Sequence, residues 1–191
     1  MARQIDRSEA TRAKLLAAFR EAFLRDGFEG TAIQSVLDET GLSKGALYHH
    51  FSSKAEIIEA LYIAELEHAV AQAQRSFRPT RSYLSGLEQA SIAWVEQVRD
   101  PEISRLLFEI APAAIGVAKA HEIESEFSLS RIERMLQLAV KAGELAAINT
   151  ALVASMVNAL LTEAVLHERR TKEDALATLK SALRGLFTAF T

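Results

Sequence analysis

The chain contains no cysteine, so disulfides and thiolate metal sites are excluded. Proline and glycine are scarce, at 3 and 8 of 191 residues. Ala, Leu, Glu, Arg and Lys dominate instead, a composition that favours helix throughout. No segment alternates apolar and polar residues with period two over a useful length, so no strand is expected. Long apolar runs are also missing. The longest uncharged stretch, Leu145 to Thr162, is interrupted by Asn149, Thr150, Ser155, Asn158 and Thr162, and reads as a buried helix rather than a membrane span. The opening MARQIDRSEATRAK is charged and lacks the apolar core of a secretory signal. A cytoplasmic protein is the expectation, with no membrane partner. No repeat or low-complexity tract is present.

Catalytic signatures are absent as well. His121-Glu122 and His167-Glu168 begin like a zinc helix, but neither has a second His four positions after the first. There is no G-x-G-x-x-G, no G-x-S-x-G and no P-loop; Gly41-Leu42-Ser43-Lys44-Gly45 has the wrong spacing for one. Ser128 and His121 share a stretch without any mark of a triad. No catalytic residue, metal or cofactor is expected.

Positive charge is not in excess overall. The net charge is −3, but residues 1–54 carry eight Lys/Arg against seven Asp/Glu, and residues 55–191 fourteen against eighteen. A mildly basic head, to which His49 and His50 can add charge, precedes an acidic body.

What is present is a succession of helices. Asp6 with Glu9 has capping-box spacing, so the first helix is expected to begin at Asp6 or Ser8. Leu15, Ala18, Phe19, Ala22 and Phe23 draw one apolar stripe, which Gly27 ends and onto which Phe28 folds back. Thr31 is the expected N-cap of a short helix to about Thr40, with Ile33, Val36 and Leu37 inward. Gly41 turns the chain, and Ser43 caps a third short helix, Lys44 to Phe51. Two short helices around a glycine turn make a helix-turn-helix. A fourth helix starts near Lys54 and runs to about Ala73. Phe77-Arg78-Pro79-Thr80 is a loop. Further helices are expected over Ser82 to Val98, from Pro101 to a break at Pro112 and Gly116, from Ala118 to Ala142, from Asn149 or Thr150 to His167, and after a cap at Thr171. The result is an all-α chain of about nine helices, with a helix-turn-helix head at 1–54 that is expected to bind DNA and a helical body at 55–191.

The segments Gly27-Phe28-Glu29-Gly30-Thr31, Gly41-Leu42-Ser43-Lys44-Gly45-Ala46-Leu47-Tyr48-His49-His50-Phe51 and Ser53-Lys54 resemble the N-terminal domain of the TetR family of bacterial transcription regulators over about residues 8–62. Leu37 and Thr40 depart from it, standing where Ala is more usual. Leu47 and Phe51, four apart, pin the recognition helix and leave its opposite face for DNA. Gly45 lets the backbone approach the duplex. Lys44 extends to a phosphate or a guanine edge, and His49 to either a base or a phosphate. His50 is a phosphate donor, and Gln34 a base reader. Thr31 and Lys54, at helix N-termini, clamp the DNA backbone. The resemblance implies a phosphate contact for the Tyr48 hydroxyl. Arg3 and Arg7 form an arm toward a phosphate or the minor groove.

A single short recognition helix discriminates little. Such heads bind as dimers to half-sites about 34–36 Å apart, which predicts a homodimer on a palindromic operator in double-stranded DNA. The expected interface is Leu152, Ser155, Met156, Ala159 and Leu160 with Leu183, Leu186 and Phe187, and the resemblance implies a four-helix bundle there. A small-molecule effector of unidentified chemistry is expected among Tyr83, Trp94, Phe108, His121, Met135 and Asn158, with Leu107, Ile110, Phe127 and Met156 as further candidates. The function expected is a sequence-specific transcriptional regulator, a repressor released from its operator by that effector. Activation, and a DNA binder whose body docks a protein partner, remain open alternatives, the first because its sign depends on where the operator lies.

Overall fold

A computed structural model of the chain describes residues 2–75 and 82–191, with side chains from Ser8 onward. All regular structure among the described residues is helical. In chain order the elements are α1 (Ala2–Gly30), α2 (Ile33–Thr40), α3 (Lys44–His50), α4 (Lys54–Arg75), α5 (Tyr83–Val98), α6 (101–115), α7 (117–141), α8 (Thr150–Thr171) and α9 (Leu176–Thr188). The expected loop at Phe77 to Thr80 lies outside the described residues, as do the side chains of Arg3 and Arg7.

Two compact units arise, Met1–Glu65 with Arg105–Ala120, and Leu66–Ser104 with His121–Thr191. In the first, Leu15, Phe19 and Phe23 of α1 are fully buried. The same core contains Val36 and Leu37 of α2, Leu47 of α3, Ile57, Ile58 and Tyr62 of α4, and Leu106 and Leu107 of α6. Phe28 returns to the stripe, its ring centroid 5.6 Å from that of Phe23. The return is possible because Gly27 takes a positive φ of 74° and breaks the helical path, a conformation costly for any residue with a Cβ. Arg105 adds a guanidinium donor to the Leu24 carbonyl.

Several caps stand where local chemistry predicts them. Ser43 Oγ accepts from Ala46 N at 3.1 Å, Ser82 Oγ from Ser85 N at 3.1 Å, and Asn149 Oδ1 from Leu152 N at 3.0 Å. Asp100 Oδ1 caps α6 by accepting from Glu102 N and Ile103 N. Others need correction. α1 starts at Ala2, so Asp6 and Ser8 lie inside the helix rather than at its cap. Ala32, not Thr31, occupies the N-cap of α2, without a side-chain bond. Thr171 belongs to the end of α8 and not to the start of α9, which opens at Leu176 after Ala175.

Pro112 does not break its helix. Proline has no N–H and crowds the carbonyl four residues back. The chain accommodates it with a π turn, Leu106–Ile110, closed by Ala111 N donating to Leu106 O, and the helix continues to Gly116. α7 has a second π turn at Ser125–Leu129.

Carboxylates hold the second unit together over long sequence distances. Glu144 accepts from Ser82 Oγ, Tyr83 N and Leu84 N at 2.8–3.1 Å, closing the N-terminus of α5. Burial disfavours its charge, but these hydrogen bonds prevail and lower its pKa. Arg99 makes a bidentate pair with Glu168 at 2.6 and 2.7 Å and reaches Asp174 at 2.9 Å. The Arg99 bond holds the Glu168 carboxyl below its ordinary range, assisted by Ala175 N.

Candidate functional site

Helix α3 has two unlike faces. Leu47 is buried and Phe51, just past its end, is buried with it, both against α1. Lys44, Gly45, Tyr48 and His49 are exposed on the other side. Tyr48 is 56% exposed, unusual for a large ring in a well-formed core. Gly45 has no internal reason to lack a side chain. A Cβ there would meet only Ser43 Oγ at 3.9 Å, and its φ is not in the left-handed region. A glycine inside a helix costs about 1 kcal/mol relative to alanine, and no close contact at Gly45 offsets that cost.

His50 is half-buried, with its ring centroid 5.0 Å from that of His49 and 6.3 Å from that of Phe51. Burial first, then the charges of His49 and Arg12, push it below the usual imidazole range. It therefore offers a neutral N–H near pH 7, and not the positive charge anticipated for the head. Gln34 is exposed, but its amide donates to Asp38 Oδ1 at 2.6 Å and must release it to read a base.

Two expected phosphate contacts are spent inside the chain. Thr31 is buried, and its hydroxyl donates to Gly27 O at 2.7 Å, closing the turn after the break in α1. Lys54 sends its ammonium to Phe28 O at 2.7 Å, Thr31 O at 3.1 Å and Glu29 O at 3.5 Å, and sits 4.5 Å from the Phe28 ring centroid. An ammonium has three donors, so Lys54 satisfies the carbonyls at the end of α1 rather than presenting a free charge. Lys54→Met should cost about 1.5–3 kcal/mol in a DNA-free unfolding experiment, the range for a hydrogen-bonded charge. A mere phosphate contact would leave that stability unchanged and alter only the salt dependence of DNA binding.

Sequence reasoning passed over Arg12. Its guanidinium carbon lies 5.3 Å from the Phe51 ring centroid, which places an exposed cation beside the recognition helix. Only the tertiary fold brings α1 and Phe51 together, so no local spacing points to it.

The second unit contains a cavity of about 310 Å³. Its apolar wall comes from α4 (Val70, Ala73), α5 (Leu87, Ala90, Trp94), α7 (Ile132, Met135) and α8 (Leu161). Gln74, Ser91, Ser128, Arg131 and Asn158 supply the polar groups. Trp94, Met135 and Asn158 are thus on the wall as expected, whereas Tyr83, Phe108 and His121 are not. Tyr83 is the exposed first residue of α5, Phe108 sits in the π turn of α6 within the other unit, and His121 is exposed on α7. Leu107 and Ile110 are buried in the first unit, Phe127 lies off the wall, and Met156 faces outward.

On α8, Leu152 and Met156 are 54% and 44% exposed, and Ser155 and Ala159 are exposed beside them, with Leu160 half-buried. Thr150–Thr171 is long and apolar enough to cross a membrane by length and composition, yet only 33% of its most apolar window is buried. Leu183 and Phe187 of α9 are buried within their own chain, so they are core residues and not available to a partner; Leu186 is half-exposed. Ser181 and Gly185 are among the exposed residues of α9.

Known proteins share this arrangement. Residues 15–61 match the family of bacterial regulatory proteins of the tetR type, and residues 84–190 match a tetracyclin repressor-like C-terminal domain. The transcriptional regulator UidR of Escherichia coli is 35% identical over 65 residues, which are 34% of this chain and only 33% of that protein. The transcriptional regulator SrpR of Pseudomonas putida is 27% identical over 188 residues, 95% of this chain and 85% of SrpR. A crystal structure from Syntrophomonas wolfei, described as a TetR-family transcriptional regulator, superposes with a TM-score of 0.80 at 16% identity, covering 94% of this chain and 96% of that one. With a helix-turn-helix whose outer face is free, a helical C-terminal region and matches to both parts, the chain belongs to the TetR family of helix-turn-helix, DNA-binding transcriptional regulators.

Proposed function

We propose that this regulator is a cytoplasmic homodimer that recognises a palindromic operator and represses transcription until a small molecule enters its body. Residues 1–54 read DNA and residues 55–191 dimerise and bind the effector. The observation that carries the DNA reading is the two-faced α3, with Leu47 buried and Lys44, Gly45, Tyr48 and His49 outward. Lys44 and Tyr48 are the proposed phosphate contacts, His49 and Gln34 the base readers. The exposed apolar strip on α8 supports the dimer, and the cavity supports the effector.

Release works as a population shift. An effector that binds one arrangement of the cavity helices better than another moves the equilibrium between them. Helix α4 is the proposed carrier, because Val70, Ala73 and Gln74 line the cavity while Lys54 in its first turn holds the end of α1. The test is selection from random duplex DNA at fixed salt. Enrichment of a palindrome with half-sites about one helical turn apart is expected. A folded protein that enriches no sequence would overturn the operator reading.

A further inference from the structure

We infer that the cavity takes a monoanionic amphipath, an aliphatic or aromatic body bearing one carboxylate. This deepens the effector reading above and rests on it. The wall has one charged residue, Arg131, and no Asp or Glu. A guanidinium carries five N–H donors in a planar fork that matches a carboxylate. One of them goes to the Phe127 carbonyl in the π turn of α7, and among the described residues no carboxylate pairs with Arg131. Elsewhere in the second unit Arg99 pairs with Glu168 and Asp174, Arg170 with Glu163, and Arg184 with Glu88. Arg131 is the cation that the cavity wall carries, and among the described residues it faces no carboxylate there.

The polar groups of the wall agree. Ser91 is 3% exposed, lies on the wall, and makes no hydrogen bond among the described residues. A mid-helix serine commonly returns its hydroxyl to the carbonyl four residues back; this one does not. Asn158, facing the same space from α8, is likewise unspent. A ligand with an acceptor head and an apolar body would satisfy Arg131, Ser91 and Asn158 and cover the Leu87, Trp94 and Met135 surfaces. A cationic ligand would meet Arg131 with no carboxylate to receive it. The volume, at the small end for ligand sites, favours a compact molecule.

Trp94 is the only tryptophan in the chain and lies on the wall, so its fluorescence reports occupancy. The experiment titrates the full chain with decanoate, decanol and decyltrimethylammonium below their micelle thresholds, which varies the head charge on one tail. Decanoate should shift the Trp94 emission saturably with an affinity about tenfold or more above decanol, the scale of one charge-assisted hydrogen bond, and the ammonium should bind least. Arg131→Gln should bring decanoate down to the decanol level while leaving decanol binding unchanged; Arg131→Lys should retain the preference. Equal affinity for all three heads, an undiminished preference in Arg131→Gln, or no saturable change with any probe would each overturn the inference. Operator selection on the same preparation separates the two readings: with an operator enriched and the acid not preferred, the ligand class falls and the regulator stands.

Discussion

Tyr48→Ala should weaken operator binding about 100-fold or more while leaving the unfolding midpoint of the free protein unchanged. The asymmetry follows from where the side chain is. More than half of Tyr48 is exposed in the free protein, so its removal opens no cavity in the core. In the proposed complex the hydroxyl donates to a phosphate, and a hydrogen bond to a charged group contributes about 1.5–3 kcal/mol. A dimer carries two altered heads, so the loss doubles, and each 1.4 kcal/mol is about tenfold. Tyr48→Phe keeps the ring and removes only the hydroxyl, so it should retain any stacking contribution and lose the phosphate bond. Electrophoretic or anisotropy titrations at two salt concentrations check this. A phosphate hydrogen bond from a neutral hydroxyl leaves the salt slope nearly unchanged, whereas Lys44→Ala should reduce it by about one ion per head. Wild-type affinity in Tyr48→Phe would remove the hydroxyl from the contact set.

How much of this was legible beforehand divides along the range of the interaction. Ser43, Ser82 and Asn149 announce their caps because donor and acceptor are three residues apart. Leu47 and Phe51 announce a buried face because helical spacing alone makes them neighbours. Long-range partners leave no such mark. Glu144 closes the start of α5 from about 60 positions away, and Lys54 reaches carbonyls more than 20 positions back. Read locally, Lys54 is a cation at a helix start and suggests an anion; in the fold its three donors are already spent. Thr31 failed as a cap through a local competitor instead, since its hydroxyl turned back to Gly27 four residues earlier. Pro112 shows the opposite error, a strong local signal overridden by a π turn.

The cavity was harder to read than the head. Aromatic and sulfur-containing side chains on helices suggest a wall, but the same pattern fills cores, and only Trp94, Met135 and Asn158 of the six expected liners proved to border the space. Arg131 was invisible as a candidate because an exposed-looking arginine in a charged helix is ordinary in sequence. What distinguishes it is its place on the cavity wall with no carboxylate against it among the described residues, which only three-dimensional neighbours reveal. The proposed dimer face followed the same logic: α8 is apolar nearly all round, and which side its own chain covers is a tertiary fact. Leu183 and Phe187 turned inward, while Leu152 and Met156 remained outside.

Replacing Leu152 and Met156 together with Asp should convert the regulator to a monomer and remove measurable operator binding at concentrations that saturate the wild type. Both side chains are exposed in the isolated chain, so the substitutions bury no charge there and the helical content and unfolding midpoint should persist. In the dimer the four new carboxylates would sit in an apolar interface without cations opposite. An ionised group taken out of water without a partner costs several kcal/mol, more than a moderate homodimer can offset. Operator binding then fails for a separate reason. With the heads linked, binding of the second half-site is intramolecular, and linkage raises affinity by about 10²- to 10⁴-fold without a new contact; separate monomers forfeit that gain. Sedimentation velocity and an operator titration on the same preparation check both steps. A variant that remains dimeric would place the interface elsewhere on the body. A monomer that still binds the full operator at wild-type affinity would show that the two heads need no linkage, and the palindrome expected from dimer symmetry would lose its basis.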